Sequence, residues 1–213
     1  MSRFVRQRQG ADQGMAVELF TALLLFTFVS SITPGPNNLM LLSSGVNFGF
    51  RRTIPHMLGI GVGFTVMVAI VGLGLGALLE RAPAFYTALK YGGGAYMIYL
   101  AVKLAMAGPL GPKGETVGKP LNFLEAAAFQ WVNPKGWVMA VTAIATYTSA
   151  QNHLQSVGIV AAVFGVINLP CVSVWALFGS AMSETLRDPR RARIFNYVMA
   201  ALLVASLAPI LFD

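Results

Sequence analysis

Two stretches of this sequence set asparagine, proline and glycine side by side in apolar surroundings. One reads SSITPGPNNLMLLSSG from Ser30; the other, inside AAAFQWVNPKGWVMAVTA, carries Asn133, Pro134, Lys135 and Gly136. Proline lacks an amide hydrogen and disfavours helical geometry in the residue before it, here Thr33 and Gly35 for Pro34 and Pro36. Carbonyls one turn upstream therefore lose their donors, and in hydrocarbon such groups survive only against protein or a water-lined cavity. Thr33, Asn37, Asn38 and Asn133 bring donors and acceptors for the freed groups, or for a polar solute held against them. Lys135 can pair with a carboxylate or with the carbonyls of a broken helix. An interrupted helix offers a positive amino end and a negative carboxyl end, which suit the carboxylate and the ammonium of a zwitterion. Singly, either stretch also reads as a proline kink with Asn capping the next helix. As a pair in corresponding places they point to a transport site.

The elements that must hold these residues are set by composition. The chain has 213 residues, 56% hydrophobic and only 11% charged, with a mean hydropathy of +0.67. A soluble domain carries roughly 25% charged residues, so this is the composition of a membrane protein. Helices of about 20 apolar residues cross the hydrocarbon layer. Six spans can be read: 16–31 with a helical continuation to 50, 55–79, 84–107, 121–147, 154–182 and 194–212. The expected fold is thus an all-α membrane protein of six transmembrane helices. They form two inverted three-helix repeats, about 15–107 and 121–213, with helices 1 and 4 broken at the proline motifs. Residues 1–14 are polar and are expected to form a disordered extension to a single membrane domain, 15–213. Arg3, Arg6 and Arg8 ahead of an apolar run imitate a signal peptide, but Glu18 inside that run and the want of a small-x-small site argue against cleavage. The net charge of +7 is accounted for by Lys and Arg at loop ends against lipid headgroups, with no nucleic acid needed.

Other ionisable residues within the spans are candidates for coupling. Glu18 and Glu125 occupy early turns of spans one and four and could carry a proton, although acidic residues there also favour the helix dipole. His56, beside Arg51 and Arg52, titrates in a range that suits proton coupling, but a headgroup-facing histidine is the commoner case. Lys90 and Lys103 lie near span ends, where long stems snorkel. Gly45 and Gly49, Gly59 and Gly63, and Gly72 and Gly76 are spaced to let helices approach closely. Gly59 and Gly63, which follow the first break, also join the candidate site.

The wording TPGPNNLMLLSSGVNFGFRRTIPHMLGIGVGF, followed by GLGLGALL, GGGAYMIYLAVKL and NPKGWVMAVTAIATY, resembles the LysE/RhtB family of amino-acid exporters from about Met15 onward. That resemblance implies a multi-pass carrier of the bacterial inner membrane. Its substrate would be an amino acid or a derivative, and its driving force the proton gradient. LLSS after TPGPNN is most similar to exporters of cysteine, O-acetylserine and related small neutral amino acids. Exporters of basic amino acids in the family carry intramembrane aspartates where this chain has Phe64 and Met139. The resemblance therefore implies a neutral substrate, since a second positive charge would lack a partner. A homodimer is compatible with it, and no cofactor or metal is expected. The competing class is a membrane-embedded redox or other enzyme on a related six-helix frame. Cys171 is the single cysteine, and His56 and His153 are the two histidines, so dithiol, metal-cluster and nucleophile-base chemistries find few candidates.

Overall fold

The structure, a computed structural model, describes residues 2–75, 83–106 and 119–207. Gly76, Glu80, most of the joint from Gly108 and the chain end at Phe212 lie outside the described residues, as does the side chain of Lys90. Helices α1 (Ser2–Ile32), α2 (Pro36–Phe48) and α3 (Phe50–Ile70) come first, α3 ending in a π turn at Val71–Leu75. Then follow α4 (Pro83–Ala105), α5 (Phe123–Phe129), a 3-10 turn at Gln130–Val132, and α6 (Pro134–Tyr147). The chain continues through α7 (His153–Met182), a second 3-10 turn at Thr185–Arg187 and α8 (Pro189–Ala205). Among the described residues there is no strand.

Both expected interruptions are present. Residues 33–35 separate α1 from α2, and the 3-10 turn with extended Asn133 separates α5 from α6. Among the described residues two helical stretches, 50–75 and 153–182, are long and apolar enough to cross a membrane; the pair 17–32 and 36–48, bent by 51°, adds a third if it forms one broken span. This criterion reaches two or three crossings rather than six. One physical reason is that α5, α6 and α8 have 7, 14 and 17 residues, each short of the about 20 needed to span alone.

Two boundaries differ from the expectation. Helix α1 begins at Ser2, well ahead of residue 16, where the first span was expected to open. No proline interrupts it, and Arg, Gln and Met propagate a helix already nucleated by the apolar segment. Pro55, expected to open the second span, lies inside α3. The joint is instead Gly49, whose φ of 78° is disfavoured for residues with a Cβ. A Cβ on Gly49 would meet nothing within 4 Å, so this glycine is a backbone hinge and not the packing surface its spacing from Gly45 suggests.

Other glycines do bring helices together. A Cβ at Gly45 would stand 2.2 Å from the Ala176 carbonyl oxygen, and one at Gly179 would stand 2.1 Å from that of Leu42. Helices α2 and α7 therefore meet backbone to backbone, the close approach that small residues permit. Gly59 and Gly63 do the same between α3 and α5: their added Cβ atoms would come within 2.3 Å of the Phe123 oxygen and 2.6 Å of Ala127 Cα. Gly93 of α4 faces the Val132 oxygen, 2.4 Å from a built Cβ. These seams set α7 beside the first break and α4 beside the second.

Candidate functional site

The first break shows where the freed carbonyls find partners. Thr33 returns both its amide and its hydroxyl to the Val29 oxygen. Buried Asn38 donates from Nδ2 to the Ser31 oxygen (2.9 Å) and the Thr33 oxygen (2.8 Å). The Ile32 oxygen accepts from Trp175 Nε1 of α7 at 3.0 Å, and the Gly35 oxygen accepts from the Leu39 amide at 2.9 Å. Lys135, from the other break, donates from Nζ to the Thr33 oxygen at 2.8 Å and the Pro34 oxygen at 3.4 Å. Every carbonyl from Ser31 to Gly35 is thus satisfied, four of the five without a main-chain donor.

The second break is closed more locally. The Asn133 amide bonds the Gln130 oxygen at 3.3 Å, and Trp137 Nε1 donates to the Trp131 oxygen at 2.9 Å. Gln130, fully buried, donates to the Ala126 oxygen (2.8 Å) and to Asn37 Oδ1 (3.2 Å), and accepts from Asn37 Nδ2 (2.8 Å). This reciprocal amide pair and the Lys135 ammonium tie the two interruptions together across some hundred residues of sequence.

Between them lies an open pocket of about 320 Å³, mouth included. The first turns of α2 and α6 both face it, through Gly35, Asn37 and Asn38 on one side and Asn133, Lys135 and Gly136 on the other. Each of these helices starts with proline, and neither has a side-chain cap on its first-turn amides. Two positive helix ends and one ammonium therefore converge on one volume, an arrangement suited to a carboxylate. The opposite wall is apolar, with Phe64, Met139 and Val172; Phe64 is set edge-on to Phe164 with ring centroids 5.2 Å apart. Among the described residues no acidic side chain lines the pocket.

Residues 28–208 match the family described as LysE type translocator. The chain belongs to the LysE-type translocator family. Among the relatives of this translocator are proteins named cysteine/O-acetylserine efflux protein from Escherichia coli strain K12, Escherichia coli O9:H4 strain HS and Shigella sonnei strain Ss046. Each is 33% identical over 195 residues, covering 89% of this chain and 96% of the relative. No solved structure is a significant match.

The translocator's pocket gathers Gly35, Pro36, Asn37, Asn38, Asn133 and Lys135 from the residues expected on sequence grounds. Thr33 and Pro34 stand just outside it and contribute their carbonyls to Lys135, while Pro134 starts α6. Gly59 and Gly63 are corrected: their faces are filled by α5, so they pack helices and do not line this pocket. Glu18 is exposed. Glu125 is exposed and closes a capping box, accepting from the Asn122 amide at 2.8 Å while its own amide donates to Asn122 Oδ1 at 2.9 Å. His56 is buried, 2% exposed, and among the described residues neither ring nitrogen has a hydrogen-bond partner.

Four lining residues, Ser30, Ser31, Asn168 and Val172, and the bridging Gln130 were not expected from the sequence. Asn168 and Ser31 line the pocket and bond each other, Asn168 Nδ2 to Ser31 Oγ at 3.2 Å; Gln130 makes the amide bridge. Asn168 did leave a signal, since an asparagine two residues before Pro170 in an otherwise apolar span is costly without a purpose.

Proposed function

We propose that this translocator exports small neutral amino acids or their derivatives, of the cysteine, O-acetylserine and threonine/homoserine type, from the cytoplasm. The reading includes drive by the proton gradient, a bacterial inner-membrane location and six crossings in two inverted halves that rock about the paired breaks. One observation carries it: Lys135 of one broken helix reaches the Thr33 carbonyl of the other across a shared polar pocket. In this reading the substrate carboxylate sits against the amino ends of α2 and α6 beside Lys135. Neutrality of the substrate follows from Phe64 and Met139 on the wall, where a second cationic group would find no carboxylate. Family membership and the names of the relatives support amino-acid efflux over membrane-embedded enzymology.

The test is efflux from proteoliposomes loaded with labelled cysteine, O-acetylserine, threonine, homoserine, leucine or lysine, with and without an imposed proton gradient. Gradient-dependent loss of one or more neutral amino acids, with lysine retained, is the expected result. Retention of the whole set under both conditions would overturn the reading.

A further inference from the structure

Two side-chain oxygens at the pocket have no use in the fold. Asn133 Oδ1 and Asn168 Oδ1 are both shielded from solvent, and among the described residues neither has a hydrogen-bond partner. Their residues are 2% and 5% exposed, and both line the same pocket from different helical segments, the second break and the middle of α7. In the structure Asn168 Nδ2 donates to Ser31 Oγ at 3.2 Å, and Oδ1 is the end without a donor. A buried amide oxygen without a donor is rare in folded proteins and marks strain or a missing partner. Lys135, the pocket's ammonium, is directed to the Thr33 and Pro34 carbonyls.

We infer that Asn168 Oδ1 and Asn133 Oδ1 are acceptors for the primary ammonium of the transported molecule, and that export requires a free amino group. This rests on the exporter reading and extends it by fixing the substrate's polarity in the site. The carboxylate lies against the helix amino ends and Lys135, and the ammonium lies against α7. An ammonium has three donors and takes neutral amide oxygens readily. A deaminated acid offers none and leaves both oxygens desolvated without partners, the situation in which hydrogen-bonding sites discriminate most strongly. Because the acceptors are uncharged, one ammonium balanced by one carboxylate is accommodated without an added acidic residue.

Proteoliposome efflux of reduced cysteine and of 3-mercaptopropionate, which differ by the amino group, tests this in wild type, Asn168→Leu and Asn168→Asp. Wild type should prefer cysteine by at least about tenfold in kcat/KM. Asn168→Leu should lose about tenfold for cysteine, mainly through KM, with 3-mercaptopropionate unchanged, so the preference collapses. Asn168→Asp, whose carboxylate still accepts, should keep or increase the preference. Equal losses for both substrates in Asn168→Leu, together with a weakened preference in Asn168→Asp, would assign Asn168 a structural role and overturn the inference. Unchanged cysteine KM in Asn168→Leu would overturn it too. Failure of wild type to move any member of the neutral set, cysteine included, would remove the exporter reading itself, a result distinct from both.

Discussion

The two helix breaks solve one problem in opposite ways. At the first, two prolines in three residues leave carbonyls that local backbone cannot serve, and the partners come from afar: Trp175 on α7 and Lys135 on α6, with Asn38 from the next turn. At the second, one proline is followed by recovery within a few residues, through a 3-10 turn and the indole of Trp137. The first break is held by the rest of the molecule, whereas the second holds itself and sends Lys135 and Gln130 outward. The first break thus draws on contacts from α6 and α7, whereas the second is closed mainly by its own neighbours. Separation of the breaks would strand acceptors on the α1 side and free an ammonium on the α6 side.

The largest effect should come from cutting the charged link. Lys135→Met removes the donor at the Thr33 and Pro34 carbonyls and the positive charge at the pocket. A hydrogen bond to a charged group contributes about 1.5–3 kcal/mol, so efflux of the best substrate should fall about 10- to 100-fold, with Lys135→Arg recovering part of it. Efflux within twofold of wild type for Lys135→Met would remove the link from the mechanism.

Two alanine substitutions separate the site from the scaffold. A Cβ at Gly35 would stand 2.7 Å from Lys135 Cδ, the flexible stem of a side chain. Gly35 is extended, with φ −177° and ψ 179°, so alanine there adds no backbone strain. Gly35→Ala should therefore displace Lys135 and lower efflux about tenfold at unchanged yield of folded protein. At Gly59 the obstacle is the Phe123 backbone oxygen, 2.3 Å away, which can retreat only if α5 moves. Gly59→Ala should cost about 1–3 kcal/mol of stability and be seen first as a lower melting temperature in detergent. If the two variants exchanged these phenotypes, the division between pocket and seam would be wrong.

What could be seen in the sequence follows the same division. Prolines and asparagines in apolar runs are local signals, so both breaks and nearly half of the pocket residues were legible at Thr33–Asn38 and Asn133–Lys135. Phe64 and Met139, singled out by resemblance, do stand on the pocket wall. Long-range pairing was not legible: nothing near Gln130 announces Asn37, and nothing near Trp175 announces the Ile32 carbonyl. Glycine spacing predicted the close approach at Gly59 but not the hinge at Gly49. Gly49 and Gly59 share the same four-residue signature, yet one is a hinge at φ 78° and the other faces a backbone oxygen. Only the placement of neighbouring helices distinguishes them.

The amide bridge offers a quantitative measure of how tightly the breaks are coupled. Asn37→Ala and Gln130→Ala each remove one side of a reciprocal pair with distances of 2.8 and 3.2 Å. In a double-mutant cycle on thermal stability the pair should show a coupling of about 0.5–1.5 kcal/mol. Additivity within error would mean that the two amides merely lie close.

The smallest expected effect concerns Glu125, for which a cap and a proton carrier make different forecasts. Its carboxylate accepts from the Asn122 amide and its position is exposed, away from the pocket. Glutamine can still fill the third position of a capping box but carries no charge to favour the helix dipole. Glu125→Gln should therefore lose only about 0.3–1 kcal/mol of stability and leave gradient-driven efflux and its pH profile as in wild type. If instead the variant exchanged substrate normally but no longer responded to the proton gradient, the coupling step would lie at the start of α5. The pocket between the breaks would then bind substrate without itself handling the proton.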